Sequence, residues 1–179
     1  MEFWELVDDA RAEVARSAEW PSGMQVGGTI RRHLPLLKPV EILEFDLWIR
    51  GQAAMADRWE FGAACFLFCG YVSDDGFGEF RFGLVGLGRA DFHAVLKDPD
   101  GGLAGLAIVQ AMAAGHASPF TIHGEQIQSA AGEAYGDRYW EDRAEIEFNP
   151  ATARFEAADA PRIPARLPQL HALFPKRVS

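Results

Sequence analysis

Phe3, Leu6, Val7, Ala10 and Val14 recur at helical spacing with Glu, Asp and Arg between them, a pattern that predicts an amphipathic helix ending near Ser17. Trp20-Pro21-Ser22-Gly23 reads as a turn, and Gly27-Gly28 should delay the next helix until about Thr29, with Leu34, Leu36 and Leu37 as its contacts. Pro35 keeps that helix short or kinked. Pro39 suits the first turn of a third helix, whose stripe of Ile42, Phe45, Trp48 and Ile49 reaches Met55. Trp59 to Gly70 has so few polar positions that, as a helix, it must be buried on nearly all sides at the centre of the fold.

Further helices are predicted from Ser73 or Asp74 to Gly88 and from Asp91 to Leu96. Another runs from Leu103 to Ala114, and one more from Glu125 to Tyr135. Asp98-Pro99-Asp100-Gly101-Gly102 has the composition of a turn, and Ser118 to Gly124 that of a loop. After Tyr139 the period changes. Arg143 to Phe148 and Ala153 to Ala157 alternate apolar with charged residues around Asn149-Pro150, which predicts a small β-hairpin over 143–157. Pro161 to Pro168 reads as extended, and a closing helix over 166–174 returns Leu167, Leu170, Leu173 and Phe174 to the core. The expected fold is therefore mainly α, a compact multi-helix single domain over 1–179 with a small C-terminal hairpin.

Composition narrows the partners. With 179 residues, 49% of them hydrophobic and 12% aromatic, the chain is long enough for one substantial core. A net charge of -9 argues against nucleic acid, since phosphate-backbone affinity comes from Lys and Arg. No window approaches the roughly 18 consecutive apolar residues of a membrane helix, and the N-terminus lacks the basic start of a signal peptide. A cytoplasmic protein with no membrane partner is expected. Oligomeric state is not legible, nor is any cofactor.

The candidate chemistry lies between Trp59 and Asp100. The acidic pair Asp74-Asp75 and Arg81 follow an apolar segment, and carboxylates and a guanidinium so placed are paired, capping a helix or used on a ligand. As structure, Ser73 caps a helix whose first turn holds both carboxylates near free N–H groups and the positive dipole end. As function, Asp74 or Asp75 serves as acid, base or ligand of a hard cation such as Mg²⁺, and Arg81 holds an anionic group. Asp98 and Asp100 are possible additions to that site. Trp59 and Tyr135 are further candidates for ligand contact.

The cysteines Cys65 and Cys69 share a helix face without the geometry of a disulfide, and no Cys or His stands at short spacing to complete a zinc site, so reduced, buried thiols are expected. The five histidines form no metal-binding motif, although His116 and His123 flank one loop. No nucleotide-binding fingerprint is present.

Trp59-Glu-Phe-Gly-Ala-Ala, Cys69-Gly-Tyr-Val-Ser-Asp-Asp-Gly-Phe77, Phe80-Arg81, Gly88 and Asp98-Pro99-Asp100 together resemble the bacterial domain-of-unknown-function family 4240. Phe3-Trp4, Ala134-Tyr135, Leu167-Pro168 and Phe174 extend the likeness over most of the chain. The sequence departs from the pattern at Tyr71-Val72 and at Gly83. The resemblance implies a mainly helical fold and an uncharacterised activity, some members being described as regulator-like in molybdate metabolism. Three functions fit the residues: a binding or regulatory domain with a groove lined by Trp, Phe and the acidic pair; a small accessory enzyme using Asp74, Asp75 and Arg81 with Tyr135 or His123; or an acidic, immunity-like binder of a basic partner.

Overall fold

The computed structural model describes residues 2–145 and 154–177. Its helices are α1 (Phe3–Ala15), α2 (Gly23–His33), α3 (Pro39–Met55), α4 (Trp59–Cys69), α5 (Asp74–Val85), α6 (Arg89–Lys97), α7 (Pro99–Ala104), α8 (Ala107–Ala113), α9 (Glu125–Tyr135), α10 (Tyr139–Asp142), α11 (Ile163–Arg166) and α12 (Pro168–Leu173), with short 3₁₀ turns after α2, before α11 and after α12. α4 is buried on nearly every side, as its composition demands: Phe61, Ala63, Ala64, Leu67 and Phe68 are at most 1% exposed. Gly70 ends it in the left-handed conformation, with φ of 82°, where a side chain would be strained.

One continuous apolar cluster runs from Trp4 on α1 to Leu170 on α12. Its aromatic corner joins α1, α3 and α6: Trp4 meets Trp48 edge-on at 5.0 Å and Phe92 at 5.4 Å, and Phe3 meets Phe45 at 5.6 Å. Such pairs add about 0.5–1.5 kcal/mol each beyond area burial. A second seam is closed by glycine. α2 lies so close to α9 that a Cβ on Gly27 would fall 2.4 Å from the backbone of Gln126 and Ile127. On α5, a Cβ on Gly83 would stand 1.2 Å from the Ile122 carbonyl oxygen, so the segment before α9 rests directly on that helix.

Several expectations are corrected. Among the described residues there is no strand: Arg143–Glu145 and Arg154–Glu156 carry no ladder, and Ala157 begins a 3₁₀ turn over Ala157–Arg162, so the fold is all-helical rather than helical with a β appendage. Residues 146–153 of the expected hairpin lie outside the described residues. Phe155, inside the expected hairpin and among the described residues, packs edge-on against Trp59 at 5.5 Å and over Gly62 of α4.

Gly27-Gly28 does not delay α2, which starts at Gly23 under a capping box made by Ser22 and Gln25. Asp98 to Gly102 is not a turn but the N-cap and first residues of α7: Asp98 accepts from the Gly101 N–H at 3.0 Å, with Pro99 at the first helical position. Consequently the expected helix over Leu103–Ala114 is two, broken at Gly105-Leu106. Pro161 to Pro168 is helical rather than extended, since Pro161 lies in the 3₁₀ turn and Pro164 and Pro168 occupy first-turn positions of α11 and α12.

Candidate functional site

α3, α5, α9 and α10 enclose an open groove of about 1110 Å³. Its lining carries six carboxylates (Asp74, Asp75, Glu79, Glu125, Glu133 and Asp137) against three guanidinia, those of Arg50, Arg81 and Arg143. The cations are already engaged. Arg50 donates to Asp46 at 2.5 Å and to the Ala144 carbonyl at 3.0 Å. Arg81 pairs with Asp57 at 3.4 Å and lies over the Phe77 ring at 5.1 Å; burial draws its pKa down and Asp57 works against that shift. Arg143 lies over Trp140 at 4.7 Å and over Tyr139 at 5.2 Å.

The carboxylates that hold this floor are interior. Asp46, 1% exposed, accepts from Arg50 with one oxygen and from the Tyr139 hydroxyl with the other, at 2.7 Å. Burial, helped by that hydrogen bond, pushes the Tyr139 hydroxyl up to about 12. Asp57, 7% exposed, receives Arg81 and Arg154 on Oδ2, the latter at 3.0 Å, while its buried Oδ1 has no hydrogen-bond partner among the described residues.

Asp74 and Asp75 stand at the rim in the first turn of α5, both exposed. Ser73 caps the helix, accepting from the Gly76 N–H at 3.1 Å, so the cap is supplied without them. Neither carboxylate has a side-chain partner among the described residues, nor do Glu125 and Asp137 across the groove. Glu133 is paired with Arg31 and accepts from Ser129 at 2.7 Å.

The remaining candidates are placed elsewhere. Trp59 is buried at the start of α4 and does not line the groove, its indole N–H donating to Asp159 at 3.1 Å and its ring covered by Arg166 at 4.1 Å. The Tyr135 hydroxyl donates to Asp142 at 2.8 Å and ties α9 to α10; it does not line the groove. Asp100 accepts the Gln169 and Leu170 N–H groups at 3.0 and 2.9 Å, capping α12 across the fold, so it joins Asp98 as a structural cap. Of the candidates, only Asp74, Asp75 and Arg81 come together.

A second cluster lies beside the groove. His123, carried by the segment between α8 and α9, brings Nε2 to 3.5 Å from Cys69 Sγ and Nδ1 to 3.3 Å from Glu79 Oε2. Cys65 joins from one turn earlier on α4, and the ligand-type atoms of Cys65, Cys69 and His123 lie within 4.8 Å of one another. A hydrogen bond from Cys65, opposed by burial and supported by His123 and Arg177, lowers the Cys69 thiol to about 5, and the same hydrogen bond, with burial, raises Cys65. Burial disfavours the imidazolium of His123, yet its bonds to Cys69 and Glu79 prevail and raise its pKa. Sequence spacing hid this cluster, because His123 stands far along the chain; the one signal was the i, i+4 cysteine pair.

Helices packed around an open acidic groove, with no strand among the described residues, define an all-helical domain. The chain belongs to the family of proteins of unknown function DUF4240, whose model matches residues 1–137, a span that contains α1 to α9 and most of the groove. No curated protein and no solved structure matches it. No described helix is long and apolar enough to cross a membrane.

Proposed function

We propose that the domain is a binding module whose groove takes a cationic ligand, an arginine- or lysine-rich protein segment. The observation that carries this reading is the division of charge along the groove: every guanidinium is engaged within the fold, whereas Asp74, Asp75, Glu125 and Asp137 are exposed and unpartnered. A ligand entering the groove therefore meets net negative charge that no internal cation answers. Trp140, 75% exposed, adds an aromatic face, and Arg143 already rests a guanidinium on it, the contact that an incoming arginine would repeat. The net charge of -9 would steer such a partner from a distance.

The test is fluorescence anisotropy with labelled octa-arginine and octa-glutamate peptides. Octa-arginine should bind and weaken between about 0.02 and 0.2 M salt, as screening shortens the range of the field. Replacing Asp74, Asp75 and Asp137 together by Asn should weaken it roughly tenfold, at about 0.2–1 kcal/mol per exposed pair. Equal binding of the two peptides, or full affinity in the triple variant, would overturn the reading.

A further inference from the structure

The Cys65, Cys69 and His123 cluster has the composition and spacing of a metal site, and it owes nothing to the groove's rim carboxylates. Zinc–sulfur and zinc–nitrogen bonds of about 2.3 and 2.0–2.1 Å, meeting at a tetrahedral angle, separate the two ligand atoms by about 3.5 Å. Cys69 Sγ and His123 Nε2 stand 3.5 Å apart. Cys65, one helical turn before Cys69, offers a second sulfur on the same face of α4, the arrangement by which i, i+4 ligands on a helix share one ion.

The outer shell points the same way. A metal-binding histidine almost always donates its other ring N–H to a carboxylate or carbonyl, which fixes the tautomer and strengthens the ligand. Glu79 Oε2 lies 3.3 Å from Nδ1 of His123, leaving Nε2 to face the sulfurs. The segment bearing His123 is tightly held: Gly124 donates its N–H to the Glu79 carbonyl at 2.8 Å, Gly23 donates to Thr121 at 2.9 Å, and Gly83 admits the Ile122 carbonyl against α5. Phe80 and Phe120 present edges to the imidazole at 6.2 and 5.1 Å, so the ring is enclosed as well as hydrogen-bonded. Preorganisation of this kind lowers the cost of assembling a coordination sphere.

We propose that Cys65, Cys69 and His123 form a three-ligand site for a thiophilic cation, Zn²⁺, with Glu79 as the outer-shell carboxylate and the fourth position left to water. Two thiolates and an imidazole select soft and borderline ions over Mg²⁺ or Ca²⁺, which take oxygen. Two thiolates neutralise the ion, and Arg177, donating to the Phe68 carbonyl at 3.4 Å, brings positive charge close to Cys69. Three protein ligands with one open position is the pattern of a reactive rather than a purely structural zinc.

The experiment uses the full chain, reduced and stripped with a chelator, then titrated with Co²⁺. The expected result is one equivalent bound, with thiolate-to-cobalt charge-transfer absorption in the near ultraviolet and tetrahedral d–d bands in the visible, both erased by Zn²⁺. Cys69→Ser should lower the charge-transfer band by about half, and Cys65→Ser with Cys69→Ser together should abolish it. Glu79→Gln, which leaves all three ligands in place, should keep the bands but weaken Zn²⁺ by roughly 10–100-fold in chelator competition. A Co²⁺ spectrum identical to the aquo ion, or bands unchanged in Cys69→Ser, would overturn the site. Tight binding of Cu⁺ against bicinchoninate without any cobalt band would overturn the zinc assignment.

Discussion

The carboxylates of the groove fall into two regions with opposite fates. Asp46 and Asp57 lie beneath its floor, almost wholly buried, and fix the guanidinia of Arg50 and Arg81. Asp74 and Asp75 stand at its rim with no side-chain partner among the described residues. The same residue type is structural in one place and uncommitted in the other, and the difference is set by burial. A buried carboxylate must be paired or it costs several kcal/mol, whereas an exposed one is free to wait for a ligand.

Asp46 should give the largest effect. Asp46→Ala removes the acceptor of both Arg50 and the Tyr139 hydroxyl and leaves a largely buried guanidinium without its counter-charge. Breaking such a pair costs about 3–5 kcal/mol. At roughly 2–4 °C per kcal/mol for a chain of this size, the thermal midpoint should fall by about 6–20 °C. Asp57→Asn should cost less, about 1–2 kcal/mol, because the amide oxygen still accepts a hydrogen bond and Oδ1 had no partner to lose. Equal losses at the two sites in calorimetry would break the distinction between a satisfied and a half-satisfied floor.

The floor should also announce itself in alkali. Tyr139 has its pKa raised from an ordinary value near 10 to about 12, by burial first and the bond to Asp46 second. A phenol that titrates later in the folded than in the unfolded chain contributes stability that is complete below pH 10 and lost as pH rises toward 12. Unfolding midpoints measured from pH 9 to 12 should therefore fall more steeply for the wild type than for Tyr139→Phe. Parallel curves would show that the hydroxyl is not the group responsible.

Much of this arrangement is legible in the sequence, and what is not has definite causes. The stripes of α1 and α3, the buried run of α4 and the Ser73 cap of α5 follow from spacing and capping chemistry, which are local. Gly23 and Gly27 read as breaks but, like Gly83, serve as contact surfaces, a role set by the backbone of a segment roughly forty to a hundred residues away and invisible to local rules. The alternation around residues 143–157 suggested a strand because period two records only that neighbouring side chains face opposite ways, and an irregular segment laying Phe155 on α4 does the same. The acidic pair was visible as a candidate, but its groove was not, since Glu125, Asp137 and Trp140 come from a distant part of the chain. The approach of His123 to Cys69 is hidden for the same reason.

The smallest effect on stability is expected at the rim, where it is the most telling. Ser73→Ala should cost about 1 kcal/mol, because the hydroxyl supplies the α5 cap. Asp74→Asn and Asp75→Asn should shift the midpoint by no more than the equivalent of about 0.5 kcal/mol, the usual range for surface changes. Two terms oppose each other: each carboxylate gains from the helix dipole, by about 0.3–1 kcal/mol, and loses by standing beside its neighbour. Neutralising both together should thus come out near zero or slightly stabilising. A rim held for stability would instead lose several degrees in either single variant, and Asp74 and Asp75 would then join Asp46 and Asp57 as parts of the frame.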